Sequence, residues 1–191
     1  MEILEWEFFA RPTALVAQEL LGKLFFWQGP KGQVGGRIVE TEAYLGPDDP
    51  ACHSSRGMTP RNAAMFGRAG RHYLYRIYGV HLCYNITTDA EDIPAAVLLR
   101  ALEPLFGLKE MAFRRNQAPK QRLAAGPGNI CQAMGLDLSL NGLGLEEASL
   151  VFADDGCRPQ IGISGRIGIS QAAELPLRFY ILDSRFISKK F

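Results

Sequence analysis

Apolar and polar side chains alternate along residues 36–44, GRIVETEAY, and this period of two predicts a strand with Ile38, Glu40, Glu42 and Tyr44 on one face. A turn-forming Gly29-Pro30-Lys31-Gly32 separates residues 33–44 from an apolar run at 23–27, so the two runs are expected to pair as a hairpin. Ahead of them, residues 12–21 have helical spacing, with Leu15, Leu20 and Leu21 in an apolar stripe and Gly22 after the end. Residues 45–56 contain Gly46-Pro47 and Pro50 and read as an irregular loop. Thr59-Pro60-Arg61 has the composition of a capped helix start, closed by Gly67. Alternation resumes at 72–77 and 81–87, which places Tyr78 at a hairpin tip.

Residues 95–102 read as a buried strand whose lone charge is Arg100, and a buried arginine needs a carboxylate partner, for which Glu42 is a candidate. Leu108, Met111, Ala112 and Arg115 are helically spaced, as is the run 129–134 before Gly135. Runs at 150–153 and 177–183 are the last strands. Between them, residues 161–170, IGISGRIGIS, are glycine-rich enough for the backbone to approach a ligand.

Composition narrows the class. A chain of 191 residues, 47% hydrophobic, can bury one sizeable core, and with no linker-like stretch it reads as a single domain over residues 1–191. The four cysteines are widely spaced, with no CxxC or Cys/His cluster, which argues against a zinc site and against a disulfide framework. No apolar run approaches membrane-spanning length and the start, Met1-Glu2-Ile3-Leu4-Glu5, is too acidic for a signal peptide, so an intracellular protein is expected.

A net charge of +1 gives no overall pull toward phosphate, but the local pattern does. Between residues 51 and 88 the only ionised side chains are Arg56, Arg61, Arg68, Arg71 and Arg76, interleaved with His53, His72, His81 and several tyrosines. Arginine among aromatic rings suits a nucleic-acid partner, and a carboxylate at Glu42 beside the ring of Tyr44 suits chemistry on a flat, unstacked base.

GRIVETEAYLGP, His53, TPRN, MF, YLYRIYG, Asn85, LLRALEP, GPGN with CQAMG, RIGIS and LRFY, in this order and spacing, together resemble the alkyladenine (3-methyladenine) DNA glycosylase family over residues 37–180. The resemblance implies an α+β fold, a compact domain with a largely antiparallel curved sheet and surrounding helices. It implies a protein that binds double-stranded DNA and flips a damaged purine into a pocket; no cofactor or metal is expected, and nothing in the sequence demands more than a monomer. Carried over residue by residue, Glu42 resembles the general base that activates a water, and Arg100 and the carbonyl of Ile167 the groups that hold that water. Tyr44, His53 and Tyr75 resemble the walls around the base, Asn85 the residue that crowds the guanine 2-amino group, and Tyr78 the wedge that fills the gap in the duplex. The chain departs from the family pattern at Asn129, where a lysine is common, which weakens one phosphate contact.

A purine alkylated on a ring nitrogen is cationic, leaves easily and stacks well on electron-rich rings. No lysine lies between residues 33 and 108, so a Schiff base has no obvious amine, and base release without strand cleavage is expected. Two other readings use the same residues. A noncatalytic damaged-DNA-binding module would need the arginines and tyrosines but not Glu42. A metal-dependent phosphoesterase would draw on Glu40, Glu42, Asp48, Asp49 and His53, although the two glutamates are neighbours on one face with no tight histidine spacing.

Overall fold

The computed structural model describes residues 1–29 and 32–189. In chain order the elements are β1 (Glu2–Ile3), α1 (Trp6–Phe9), α2 (Thr13–Glu19), β2 (Leu24–Gly29), β3 (Gly32–Tyr44), β4 (His72–Ile77), β5 (His81–Thr88), β6 (Ala95–Phe106), α3 (Leu108–Arg114), α4 (Pro127–Met134), β7 (Leu150–Asp154), β8 (Ile161–Ser164) and β9 (Arg178–Ile181). The strands form one antiparallel sheet in the order β1-β7-β2-β3-β6-β5-β4, with β9 on β3 and β8 on β9. This is the expected α+β architecture.

β3 runs through the middle of the sheet. Its first half pairs with β2 as far as Arg37, its second half takes β9 from Glu40 to Glu42, and β6 pairs along its other edge from Gly35 to Tyr44. Pro30 and Lys31 of the expected turn lie outside the described residues, but the hairpin they join is present, closing with Gly29 opposite Gly32. The register with β6 shifts at Gly35/Gly36, at Ile38/Glu40 and at Glu40/Thr41, so β3 departs from strict alternation beside the two glutamates. Val39, Thr41 and Ala43 are as buried as Ile38, Glu40 and Glu42, so the alternation marks two different buried sides, not one core face and one wet face. The Thr41 hydroxyl donates to the Ala17 carbonyl of α2 at 2.8 Å, which is how that polar position is accommodated in the core.

Gly36 sits where β3 and β6 come too close for a side chain. A Cβ there would lie 1.9 Å from the Glu103 carbonyl oxygen, a backbone atom that cannot step aside. Gly36→Ala is therefore expected to lower stability by about 2–3 kcal/mol, the upper range for an overpacked site, read as a drop in the urea midpoint.

The main core lies between the sheet and helices α2 and α4. Phe25, Tyr84 and Phe152 stack at its centre, with Val16, Ala17 and Leu20 from one side and Ile130, Ala133 and Met134 from the other. Leu15, expected in the apolar stripe of α2, is 42% exposed; Val16 and Ala17 face inward in its place. The expected helix after Thr59 is a single 3-10 turn, Ala63–Phe66, preceded by Asn62. Thr59 does not cap it: its NH and hydroxyl both donate to the Asn62 side chain, whose own amide holds the carbonyls of His53 and Gly57. Within 161–170 the close approaches are to protein: Gly162 packs on the Tyr180 ring and Gly165 on the Ala173 carbonyl.

Candidate active site

Glu42 is fully buried on β3 and each of its oxygens is engaged. Oε1 accepts from the Ile167 NH at 2.7 Å, and Oε2 accepts from the Tyr44 hydroxyl at 2.9 Å and from Arg100 Nη1 at 3.2 Å. The same Arg100 nitrogen lies 3.4 Å from the Ile167 carbonyl oxygen. β3, β6 and the loop after β8 thus bring a carboxylate, a guanidinium and a backbone carbonyl to one point. Burial raises the Glu42 pKa, with Glu40 adding to the rise, while Arg100, the Ile167 NH and the Tyr44 hydroxyl pull it down; the net direction is upward.

Tyr44 carries the arrangement into a pocket. With His53, Tyr73, Tyr75, Asn85, Cys52 and Met65 its ring lines a narrow hollow of about 20 Å3, partly open to solvent. The lining is largely aromatic, which suits a flat group. His53 and Tyr75 meet edge to face with centroids 4.4 Å apart, and Tyr73 shares a 2.7 Å hydrogen bond with His53 Nδ1. Burial, helped by Arg61, lowers the His53 pKa, so the imidazole is neutral at pH 7 and does not repel a cation. Burial pushes the hydroxyls of Tyr44 and Tyr75 far above their ordinary value, so both rings also stay uncharged. Asn85 is buried on β5 and fixed by its amide to the Tyr73 carbonyl at 3.1 Å.

Outside the pocket, Tyr78 is 89% exposed at the β4–β5 tip, held by backbone at φ 50°, a conformation uncommon for a bulky residue. The arginines between residues 51 and 88 divide by role. Arg68 stacks on Trp6 at 3.6 Å, Arg71 donates to the Gly142 carbonyl, and Arg61 lies over the Tyr75 ring and donates to the Arg76 carbonyl at 2.9 Å; Arg56, Arg61, Arg68 and Arg76 are all exposed. Among the histidines, His72 is a core residue bonded to Tyr84 through Nδ1, and burial lowers its pKa to about 4.

The sequence profile described as methylpurine-DNA glycosylase (MPG) matches residues 7–185. The chain belongs to the methylpurine-DNA glycosylase family. A relative from Methanocella arvoryzae is 44% identical over all of this chain and 98% of its own length. Relatives from Methanoculleus marisnigri and Rhodopseudomonas palustris are 45% and 46% identical over 96% of this chain, covering 97% and 87% of their own lengths. All three carry the provisional name 3-methyladenine DNA glycosylase.

In this family member the residues expected at the reaction centre, Glu42, Arg100 and Ile167, lie in mutual hydrogen-bond contact, and Tyr44, His53, Tyr75 and Asn85 line one pocket joined to them through the Tyr44 hydroxyl. Tyr78 stands apart on the hairpin tip. The sequence did not show how the residues behind them pair. Arg166 and Asp49 form a fully buried ion pair, and the Arg166 guanidinium lies 4.8 Å from the centre of the Tyr44 ring while staying outside the pocket lining. Glu40 is held by Arg100, Arg178 and Ser188. Of these, only the two-residue spacing of Glu40 from Glu42 left a mark in the sequence. Glu40, Glu42 and Asp49 are all occupied by guanidinium groups, and among the described residues no group of three or more His, Cys, Asp or Glu is arranged to hold a metal ion. The four cysteines are unpaired. No helix of the described residues is long and apolar enough to cross a membrane.

Proposed function

We propose that this protein hydrolyses the N-glycosidic bond of alkylated or deaminated purine nucleotides that it has rotated out of duplex DNA. Family membership makes the chain a DNA glycosylase of the 3-methyladenine type. The observation that carries the finer reading is the Tyr44 hydroxyl bond to Glu42, because it ties a wall of an aromatic pocket to a buried carboxylate. In this reading the purine lies against Tyr44, His53 and Tyr75. Glu42 takes a proton from a water held by Arg100 and the Ile167 carbonyl, and that water attacks the anomeric carbon as the base departs. The neutral rings favour a cationic leaving base, whose positive charge they stabilise through their faces. A backbone NH at His53 donates to an acceptor at the purine 6-position and disfavours the amino group of adenine, and Asn85 crowds the guanine 2-amino group. Tyr78, exposed on its tip with nothing to bury it, fills the space left in the stack, and Arg56, Arg61 and Arg76 face the phosphates.

The protein acts in base excision repair inside the cell, as a monomer, and leaves the DNA strand uncut. The test is single-turnover release of free base from duplexes carrying one hypoxanthine, ethenoadenine or alkylated purine, in EDTA, with a parallel gel for strand breaks. Release of base without breaks is expected. Binding of the lesion with no release from any duplex would favour the noncatalytic module, and release only after added metal would sink the proposal.

A further inference from the structure

Glu40 has no part in the chemistry above, yet it is fully buried two residues before Glu42 and accepts hydrogen bonds from three residues. Its Oε1 takes Arg100 Nε at 3.0 Å, Arg178 Nε at 2.8 Å and the Ser188 hydroxyl at 2.8 Å, and its Oε2 takes the Ser188 backbone NH. Ser188 comes from the segment after β9. Its hydroxyl also accepts from Arg100 Nη2 at 3.2 Å, and the carbonyl of the next residue, Lys189, accepts from Arg178 Nη2 at 3.0 Å.

One guanidinium therefore serves two carboxylates. Arg100 offers Nε to Glu40, Nη1 to Glu42 and the Ile167 carbonyl, and Nη2 to Ser188. Both carboxylates are fully out of water, so each draws strongly on every donor within reach. Glu40 leaves Nη1 to Glu42 because Ser188 satisfies it twice, once by backbone and once by side chain. Without the hydroxyl, Glu40 loses a donor on the oxygen it shares with both arginines, and Arg100 Nη2 loses its acceptor. The guanidinium is then free to turn toward Glu40 and away from Glu42.

We propose that Ser188 is a positioning residue for base release: by engaging Glu40 and seating Arg100, it holds the guanidinium on Glu42 and on the carbonyl that flanks the water. The inference rests on Glu42 being the general base. The groups facing Glu42 are Glu40 and Tyr44 from β3, Arg100 from β6, Cys83 from β5, Arg178 opposite it on β9, and Arg166 with the Ile167 NH from the loop after β8. Among these Arg100 is the chief influence favouring the ionised carboxylate, and it is the one that Ser188 touches.

The test compares wild type, Ser188→Ala and Ser188→Thr, which keeps the hydroxyl. Two readouts are taken: the pH dependence of single-turnover base release, and the titration of the Glu42 carboxyl followed by 13C NMR. In Ser188→Ala both midpoints are expected to move up by on the order of one pH unit, the scale of one hydrogen-bonded charge neighbour, making release roughly tenfold slower below the limb. Poorer seating of Arg100 on the carbonyl beside the water lowers the high-pH rate as well, and Ser188→Thr should return both midpoints and the rate toward wild type. A purely structural serine would lower melting temperature and rate at every pH without moving either midpoint, and that result overturns the proposal. If Ser188→Ala does not fold, Ser188→Cys, a much weaker donor of similar size, gives the same reading: a shifted midpoint supports the proposal and an unshifted one overturns it. A Glu42 midpoint that shifts in a protein releasing no base would sink the glycosylase reading and leave the Ser188–Glu42 link standing.

Discussion

Glu42→Gln is expected to slow base release by roughly 10²–10⁴-fold, the contribution of a positioned general base, while the protein folds as before. The amide has the size of the carboxylate and keeps a carbonyl oxygen to accept from the Ile167 NH or the Tyr44 hydroxyl, so the pocket wall stays in place. What disappears is the ability to take a proton. The wild-type rate should rise with pH through a limb above 4.5, because the Glu42 pKa is raised and only the ionised form is a base. Glu42→Gln should lack that limb. Stability moves in the opposite sense: in the window between 4.5 and the raised value the folded protein binds more protons than the unfolded chain, so this group's contribution falls as pH rises. The charged base is thus most active where it stabilises the fold least. Single-turnover rates across pH with thermal melts on the same samples check both statements, and a mutant that releases base at the wild-type rate would remove Glu42 from the mechanism.

The largest stability loss is expected from Arg178→Ala. This side chain is 1% exposed and bonds Glu40 at 2.8 Å, the Ser164 hydroxyl at 3.0 Å and the Lys189 carbonyl at 3.0 Å, with its guanidinium over the Tyr180 ring. Its removal leaves Glu40 a buried carboxylate with Arg100 as its one guanidinium partner among the described residues, where it had two. Breaking such a pair costs about 3–5 kcal/mol, which for a chain of this size corresponds to a melting temperature lower by on the order of 10 °C. The physical cause separates cleanly in a double mutant. Adding Glu40→Gln to Arg178→Ala removes the stranded charge and should recover part of the loss, whereas two independent effects would add.

How much of this was legible differs from residue to residue. The hairpin at 72–87, the buried strand around Arg100 and the helix before Gly135 follow from period, turn residues and the lone charge in an apolar run, all of which act over a few neighbouring positions. The pairing of Arg100 with Glu42 followed from electrostatics, since a buried guanidinium must find a carboxylate. That Glu40 shares the same guanidinium did not, because the register shifts of β3 against β6 set which side chains meet, and no local pattern encodes them. Leu15 and Thr59 failed for a related reason: which face of a short helix turns inward, and whether a threonine caps or braces, depend on what packs there.

The sequence by itself determined the main strands and helices, the family and the set of side chains proposed to bind and act on a purine. Tertiary structure decided the contacts by which Ile167, 125 positions from Glu42, meets the Arg100–Glu42 pair at one point. It also decided that Arg166 backs Tyr44 and that Ser188 closes the cluster. Those contacts join residues across strands whose order in the sheet is not their order in the chain. They form because a buried charge takes the nearest available partner in space, whatever its distance in sequence.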